Sequence, residues 1–226
     1  MFTPKIIAKI QSPFPTKFGV PRQSGMIGGN ISKVIFEKEY ANPDALRGLE
    51  GFSHIWLIWY FDKSEEKPFT PTVRPPKLGG NTRVGVFATR SPYRPNPIGL
   101  SLVKLVRVNL SDKVYLEVEG ADLVDGTPIL DIKPYLPFAE AVEGARGGYT
   151  EETSKVRLYV DFPAILLEKI QENHRQSVKE FLSLDPRPGY QRDAERIYGA
   201  SYYNYDIKFK VDGDTLTVVA VDFLTV

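Results

Sequence analysis

The sequence predicts a mainly β protein, an antiparallel sheet or barrel followed by a small α+β domain. In the first 140 residues, about six or seven short apolar or alternating segments are separated by turn-forming residues, with one short helix among them. Beyond residue 153, one amphipathic helix is followed by a hairpin pattern. No predicted strand runs into a glycine-rich loop and a helix, so the pattern disfavours the Rossmann dinucleotide-binding fold.

The strands of the first part are bounded by proline, glycine and aspartate. The most apolar run, HIWLIWYF, is short and rich in aromatic and β-branched residues, which predicts a buried strand rather than a helix. Asn42 followed by Pro43 predicts a helix start with Asn42 as the N-cap. The predicted strands are residues 6–10, 32–37, 54–61, 84–88, 100–108, 114–118 and 129–132.

The chain divides where apolar periodicity stops. Residues 139–153 are rich in glycine, alanine and glutamate. We therefore predict domains at 1–140 and 154–226, joined by a linker at 141–153.

The second domain combines one long helix with strands. Leu166, Ile170, His174, Val178 and Leu182 recur every four residues, which predicts one packed face on a helix from 163 to about 184. A strand is predicted at 156–160, and the turn at 212–214 joins strands at 202–210 and 216–223. The intervening DPRPGYQRDAERIY mixes cations with an aromatic ring and favours single-stranded RNA, although its own acidic residues offset the charge. Its candidate RNA contacts are Arg187, Tyr190 and Arg192.

Composition limits the chemistry. The 226 residues are 42% hydrophobic and 25% charged with a net charge of +1, which is typical of a water-soluble globular chain. The absence of cysteine excludes disulfides, thiolate nucleophiles and cysteine-bound zinc, and two histidines, His54 and His174, disfavour a multi-histidine metal site or a Ser-His-Asp triad. No run is long enough for a membrane span, and residues 1–15 lack an apolar signal region, so we expect a cytoplasmic protein.

Residues 79–101, GGNTRVGVFATRSPYRPNPIGLS, form the central motif. Four turn residues, Pro92, Pro95, Pro97 and Gly99, stiffen the loop that presents Arg90. Arginine forks beside tyrosine and asparagine suit a carboxylate or phosphate ligand, while an ordinary rigid connection is the alternative.

The charge pattern favours the ligand-binding alternative. Residues 67–111 contain no aspartate or glutamate, whereas a segment of that length should hold about five or six. Its cations predict a positive surface for an anionic partner such as nucleic acid, and Arg74, Lys77 and Arg94 are the candidate RNA contacts. The cations of this basic segment are Lys67, Arg74, Lys77, Arg83, Arg90, Arg94, Lys104 and Arg107.

Five sequence motifs, in their order and spacing, carry a resemblance to a known family. They are PRQSG, RGLEGFSHIWLIWYF, TVRPPKLGGNTRVGVFATRSPYRPNPIGLS, DLVDGTPILDIKPYLPFAE and DPRPGY. Together they closely resemble the TrmO (TsaA-like) tRNA methyltransferases over nearly the whole chain. The resemblance implies a single-sheeted antiparallel β-barrel that uses S-adenosylmethionine to methylate N6 of threonylcarbamoyladenosine, next to the anticodon of threonine tRNA. It also implies a homodimer, in the form with an additional C-terminal domain.

The resemblance further implies a set of cofactor-binding residues. Arg22 and Arg90 suit the carboxylate of S-adenosylmethionine, Asp122 and Asp125 suit its ribose hydroxyls, and Leu100 suits its adenine. Asp62 and Lys63 stand where the family often has His-Gln, which leaves their contact open. The full set is Pro21, Arg22, Gln23, Asp62, Lys63, Arg90, Leu100, Asp122, Leu123, Val124 and Asp125.

No catalytic residue is assigned, because only carboxylates or solvent are available to accept the N6 proton. Asp125 and Asp131 are the candidates, and turn-capping or strand-end roles are their alternatives. Two other functions stay open on the sequence: a noncatalytic RNA-binding module, and an S-adenosylmethionine-dependent enzyme that acts on a small nucleotide-like substrate.

Overall fold

The first part of the chain forms a closed antiparallel barrel. A computed structural model describes residues 3–64, 68–75, 78, 82–153, 157–187 and 193–224. The barrel strands follow one another around the wall in the order β1-β2-β7-β6-β3-β8, and β8 closes onto β1. These strands are β1 (Ala8–Gln11), β2 (Ile31–Phe36), β3 (His54–Tyr60), β6 (Ile98–Asn109), β7 (Tyr115–Glu119) and β8 (Pro128–Pro134). A separate short ribbon pairs β4 (Thr72–Val73) with β5 (Val84–Gly85).

Alternation of side chains explains the barrel wall. In β3, Ile55, Leu57 and Trp59 are buried while the residues between them are partly exposed. β7 shows the same alternation, with Leu116 and Val118 inside. The barrel core is therefore built from the inward-facing, alternate positions of its strands. The predicted fold class is confirmed.

The strand order brings three long loops to one end of the barrel. β1, β7 and β3 end there, while β2, β6 and β8 begin there, because neighbouring strands are antiparallel. The loops at this end, called the loop end below, are β1–β2 (12–30), β3–β6 (61–97) and β7–β8 (120–127). Nearly all predicted ligand-binding residues of the first domain lie on these loops.

The second part is a four-stranded sheet covered by helices. The order is β10-β11-β12-β9, in which β9 runs parallel to β12. Its strands are β9 (Tyr159–Asp161), β10 (Tyr198–Tyr202), β11 (Tyr205–Asp212) and β12 (Thr215–Phe223), and the helices that contact it are α3 (Ala164–Leu167) and α4 (Glu172–Ser183). Two short helices precede this sheet: α1 (Pro137–Glu140) follows β8 of the barrel, and α2 (Thr150–Thr153) lies in the segment between the two parts. The core of the second part also contains Phe14 and Ile27, which come from the β1–β2 loop. That loop therefore lies between the barrel and the second sheet.

Several local predictions need correction. The helix predicted from 163 to 184 is two helices, because Gln171 has extended backbone (φ −54°, ψ 139°) and its N–H donates to the Tyr205 hydroxyl. The strand predicted at 84–88 ends at Gly85 and continues as a 3-10 helix, Val86–Ala88. β10 was not predicted. The short helix after Asn42 is a 3-10 helix, and the Asn42 side chain caps it as predicted. Among the described residues, no helix is long and apolar enough to cross a membrane.

Candidate functional site

The loop end brings three predicted cofactor residues together. The Arg90 guanidinium donates to the side-chain oxygen of Gln23, which joins the β3–β6 and β1–β2 loops. Arg90 also interacts electrostatically with Asp122 of the β7–β8 loop. Asp122 in turn accepts a 2.5 Å hydrogen bond from Ser101 Oγ, and Ser101 accepts a 3.0 Å bond from Trp59 Nε1. We call these five residues the Arg90 cluster.

The Asp122 carboxyl is electrostatically unusual. Burial is the largest influence and raises its pKa to about 6, against opposing effects of the Ser101 hydrogen bond and the Arg90 charge. Its neighbour Arg90 stays exposed to solvent. A partly buried acceptor thus interacts with an accessible cation, and such a pair suits a zwitterionic ligand with hydroxyl groups.

Leu100 and Pro21 lie close to members of this cluster along the chain. Leu100 lies beside Ser101 on β6 and is 47% exposed, because alternation turns Ser101 inward and Leu100 outward. Its apolar surface is available to a flat ring. Pro21 is buried and Arg22 is exposed, with the Arg22 carbonyl accepting from Gln23. The loop carrying them is bonded to the β7–β8 loop through Gly25 N–H and Gly120 O at 2.8 Å.

The other residues of the β7–β8 loop serve mainly its structure. Leu123 is fully buried in the barrel core, and its carbonyl accepts from Ser12 Oγ at 2.6 Å. The Val124 carbonyl accepts from Thr127 Oγ1 at 2.7 Å. Asp125 accepts from Ser12 N at 2.9 Å through its carboxylate, and its carbonyl accepts from Lys63.

Lys63 and Asp62 both stay exposed after β3. Lys63 reaches across to the β7–β8 loop, so the pair that departs from His-Gln contributes a loop contact through its lysine. Among the described residues, neither the Asp62 nor the Lys63 side chain forms a hydrogen bond or ion pair with a residue of the Arg90 cluster. Their role toward a cofactor remains a prediction.

Asp131 lies on β8, outside the loop end. Its carboxylate accepts from the backbone N–H of Ile132 at 2.9 Å and pairs with Lys133 at 2.9 Å. Asp131 is paired with Ile58 of β3 in the barrel wall. These contacts correspond to the strand role that the sequence left open.

The candidate RNA residues differ in availability. Arg74 is exposed, and Arg94 is half-buried with its guanidinium donating to the Thr89 carbonyl at 3.2 Å. Arg187 forms a bidentate pair with Asp185 at 2.7 and 2.9 Å, which raises its pKa, and its side chain is only 11% exposed. That geometry favours a structural role for Arg187 over a phosphate contact. Lys77, Tyr190 and Arg192 lie outside the described residues.

Comparison with known proteins decides the family. The family model described as "tRNA-methyltransferase O N-terminal domain" matches residues 9–141. The model described as "TrmO C-terminal domain" matches residues 155–224. The chain belongs to the TrmO family.

Individual relatives are similar over most or nearly all of the chain. The chain is 41% identical to tRNA (adenine(37)-N6)-methyltransferase of Escherichia coli K12 over 96% of both chains. It is 38% identical to an S-adenosyl-L-methionine-binding protein of Archaeoglobus fulgidus over 63% of this chain and 96% of that protein. The crystal structure of TrmO from Pseudomonas aeruginosa matches with a TM-score of 0.82 at 30% identity, covering 99% of this chain and 97% of that one.

Two members of the Arg90 cluster, Trp59 and Ser101, were not predicted from the sequence as site residues. Trp59 and Ser101 were read only as parts of strands. The available sequence signal was Gly99, because a glycine inside a strand often marks a close approach of another group. In the structure, a Cβ at that position would lie 2.2 Å from Trp59 Cε2. Glycine there admits the indole over the strand, which places its N–H on Ser101.

Proposed function

We propose that this chain is an S-adenosylmethionine-dependent methyltransferase that modifies N6 of adenine 37 in tRNA. The observation that carries the proposal is the Arg90 cluster, in which an accessible arginine interacts with the partly buried Asp122 carboxyl at the loop end of the barrel. The full-length similarity to an enzyme of that name supports the reaction, and the A. fulgidus relative supports the cofactor.

The chemistry of the cluster fits this cofactor. When bound, S-adenosylmethionine supplies a methyl group attached to a positively charged sulfur. Arg90, with Arg22 beside Gln23, would hold the amino acid carboxylate. Asp122 would accept from ribose hydroxyls, and Leu100 would cover the adenine. Asp125, Leu123, Val124 and Pro21 would shape the loops around these groups, and Asp62 and Lys63 would complete the rim.

Catalysis would rest on positioning. Asp125 and Asp131 were the sequence candidates for accepting the N6 proton, but each already accepts a hydrogen bond within the chain. Orientation of the nitrogen toward the methyl group can supply roughly 7–11 kcal/mol of the barrier reduction in well-aligned systems. We therefore assign these carboxylates to structure and the proton to solvent.

The finer substrate is a second step of the proposal. We infer threonylcarbamoyladenosine in threonine tRNA from the motif resemblance, and the basic segment supports an anionic macromolecule. Arg74 and Arg94 would contact phosphate, together with Lys77, Tyr190 and Arg192, while the ion pair of Arg187 argues against a direct contact. Lys104 of β6 pairs with Glu119 at 3.1 Å, so its charge is partly offset, whereas Arg74 and Arg94 lie on the β3–β6 loop.

The molecular context is also proposed. We place the enzyme in the cytoplasm, where tRNA is modified, and we propose a homodimer with the cofactor near the boundary between protomers. The division into a domain at 1–140, a linker at 141–153 and a domain at 154–226 is retained, and the separate family matches to 9–141 and 155–224 support it.

One set of measurements separates the proposed function from its alternatives. Calorimetric titration with S-adenosylmethionine should give saturable one-site binding, and an RNA-binding module would give none. The purified protein should then transfer a labelled methyl group to tRNA from a strain that lacks the gene. Mass spectrometry of nucleosides from that strain should show loss of the N6-methylated form. Binding of the cofactor with unchanged tRNA nucleosides would instead indicate a small nucleotide-like substrate.

A further inference from the structure

The β1–β2 loop, which carries Arg22 and Gln23, is anchored on one side to the barrel. Gly25 N–H donates to Gly120 O at 2.8 Å, and Asn30 Nδ2 donates to Ala121 O at 3.0 Å. These bonds fix the loop after Gln23. They leave its first half without a comparable barrel contact beyond Ser12 and Phe14 among the described residues.

The C-terminal domain anchors the same loop from the other side. The Phe14 ring lies 5.3 Å from the Tyr202 ring and 6.2 Å from the Phe181 ring, and all three are fully buried. Tyr203 N–H donates to Pro13 O at 2.6 Å. The first half of the loop is thus part of the C-terminal core.

A second group of contacts holds the loop beyond Gln23. Gly28 N–H donates to Glu180 Oε2 at 2.6 Å, and Arg157 Nη2 donates to Met26 O at 3.0 Å. Contacts from the C-terminal domain therefore lie on both sides of Arg22 and Gln23 along the chain. A bond from Gly28 N–H to a carboxylate is charge-assisted and stronger than a neutral one.

Two backbone features show how closely the parts fit. A Cβ at Gly19 would lie 2.7 Å from Phe181 Cζ, so the loop backbone passes directly over that ring. Tyr203 has φ of 53°, a left-handed conformation that is rare for a bulky residue. This conformation belongs to the two-residue turn between β10 and β11, and that turn directs the Tyr203 N–H to the loop at Pro13.

We propose that the C-terminal domain positions the cofactor loop, and that Glu180 and Phe181 act as positioning residues for cofactor binding. Gln23 orients Arg90, so a displaced loop would misplace both the Gln23 amide and the guanidinium. Preorganised binding groups raise affinity because less order is lost on binding. The inference rests on the proposed function, since it takes the Arg90 cluster as the cofactor site.

A pair of glycine variants tests the packing contact. Gly19 and Gly25 lie three residues on either side of Arg22, and both have left-handed backbone, with φ of 83° and 73°. Gly19→Ala adds a methyl group against Phe181, whereas Gly25→Ala meets nothing within 4 Å. We expect Gly19→Ala to raise the dissociation constant of S-adenosylmethionine by about tenfold more than Gly25→Ala does.

Hydrogen exchange provides a readout without cofactor. In the full-length apo protein, the backbone amides of Val20 and of residues 22–24 should exchange faster in Gly19→Ala than in Gly25→Ala, because the anchored loop opens more often. Equal exchange and equal affinity in the two variants would overturn the proposal.

Glu180 variants separate positioning from general stability. Glu180→Ala should raise the KM for S-adenosylmethionine by about three- to tenfold with kcat nearly unchanged, because the loss of one charge-assisted bond weakens binding. Glu180→Gln keeps an acceptor for Gly28 N–H and should restore most of the affinity. Glu172→Ala, at an exposed position of the same helix, is the control.

The outcomes distinguish this inference from the function beneath it. A wild-type protein that fails to bind S-adenosylmethionine would refute the proposed function, while the exchange comparison would still report on the loop. Normal cofactor binding with a KM in Glu180→Ala equal to that of Glu172→Ala would refute the positioning role alone.

Discussion

At the scale of single residues, the site depends on a carboxyl whose charge is finely balanced. Burial of Asp122 opposes ionisation, whereas Ser101 and Arg90 favour it, and the result is a pKa of about 6. Ionised Asp122 is the better acceptor for hydroxyl groups. Protonation close to neutral pH can therefore change both stability and ligand binding.

The pH dependence of stability follows from that shift. The pKa of Asp122 is about 6 in the folded chain and 3.8 as its reference, so the folded state favours the protonated form. Its contribution to stability is full below pH 3.8 and is lost as pH rises through 6, by about 3 kcal/mol at most. Urea unfolding should show this decline in the wild type and lose it in Asp122→Asn; matching pH profiles for both proteins would contradict the assignment.

Cofactor affinity should have the opposite pH dependence. If ionised Asp122 accepts from the ribose, affinity falls by up to about tenfold per pH unit below 6 and is level above it. Calorimetry between pH 5 and 8 measures this, and Asp122→Asn should remove the step. An Asp122→Asn profile that keeps the same step would assign the titration to another group.

The two arginines of the central motif should separate by ligand. Arg90→Ala should weaken S-adenosylmethionine binding by roughly ten- to a hundredfold, because hydrogen bonds to charged groups contribute about 1.5–3 kcal/mol. Arg94→Ala and Arg74→Ala should weaken tRNA binding and lower the slope of log affinity against log salt by about 0.9 each. Loss of tRNA affinity in Arg90→Ala with intact cofactor binding would show that this division is wrong.

At the scale of elements, local sequence patterns predicted the strands and turns that depend on neighbouring residues alone. Alternation and turn residues predicted the barrel strands and the hairpin turn at Gly213. The sequence did not predict β10, because the aromatic strand follows a proline-rich, charged stretch that reads as loop. It also failed to place Phe14 in the C-terminal core, since a residue between Pro13 and Pro15 gives no sign of a partner far along the chain. Contacts across domains depend on tertiary packing, which periodicity does not contain.

In the candidate site, too, some residues were predicted from the sequence and others depend on tertiary packing. Arg90, Gln23 and Asp122 were named through the family motif, and the structure brings them together. Trp59 and Ser101 were read as strand residues, because an inward serine in a barrel has no local signature. Arg187 was named as a candidate RNA contact in a stretch whose acidic residues offset its charge, and the structure pairs it with one of them, Asp185.

The packing of β3 against β6 supports the site and can be tested at Gly99. Gly99→Ala would put a methyl group into the Trp59 indole, which must then move away from Ser101. Overpacking of this kind costs about 1–3 kcal/mol. We expect that loss in urea unfolding together with weaker cofactor binding, whereas Gly85→Ala, with open space around it, should change neither. An unchanged Gly99→Ala protein would mean that the indole position does not matter.

At the scale of the whole molecule, the loop end combines positive charge with exposed apolar rings. Phe87 is 72% exposed and Phe69 is 56% exposed, and their rings stack at 6.4 Å within the basic segment. Exposed stacked rings at a functional edge are characteristic of a surface that is covered by a partner. The proposed homodimer would cover them and place a second protomer next to Arg90.

Phe87 therefore provides a test of the proposed assembly. Phe87→Ser should weaken self-association by at least about fivefold, because truncation of a buried aromatic anchor typically costs more than about 1 kcal/mol. Phe138→Ser is the matched control, since Phe138 is 89% exposed on α1, which follows β8 at the opposite end of the barrel. Sedimentation velocity should show a dimer for the wild type and the control, and a shift toward monomer for Phe87→Ser, with a parallel loss of methylation. A wild-type monomer that methylates tRNA at full rate would refute the dimer, and a Phe87→Ser dimer as tight as the wild type would move its interface elsewhere.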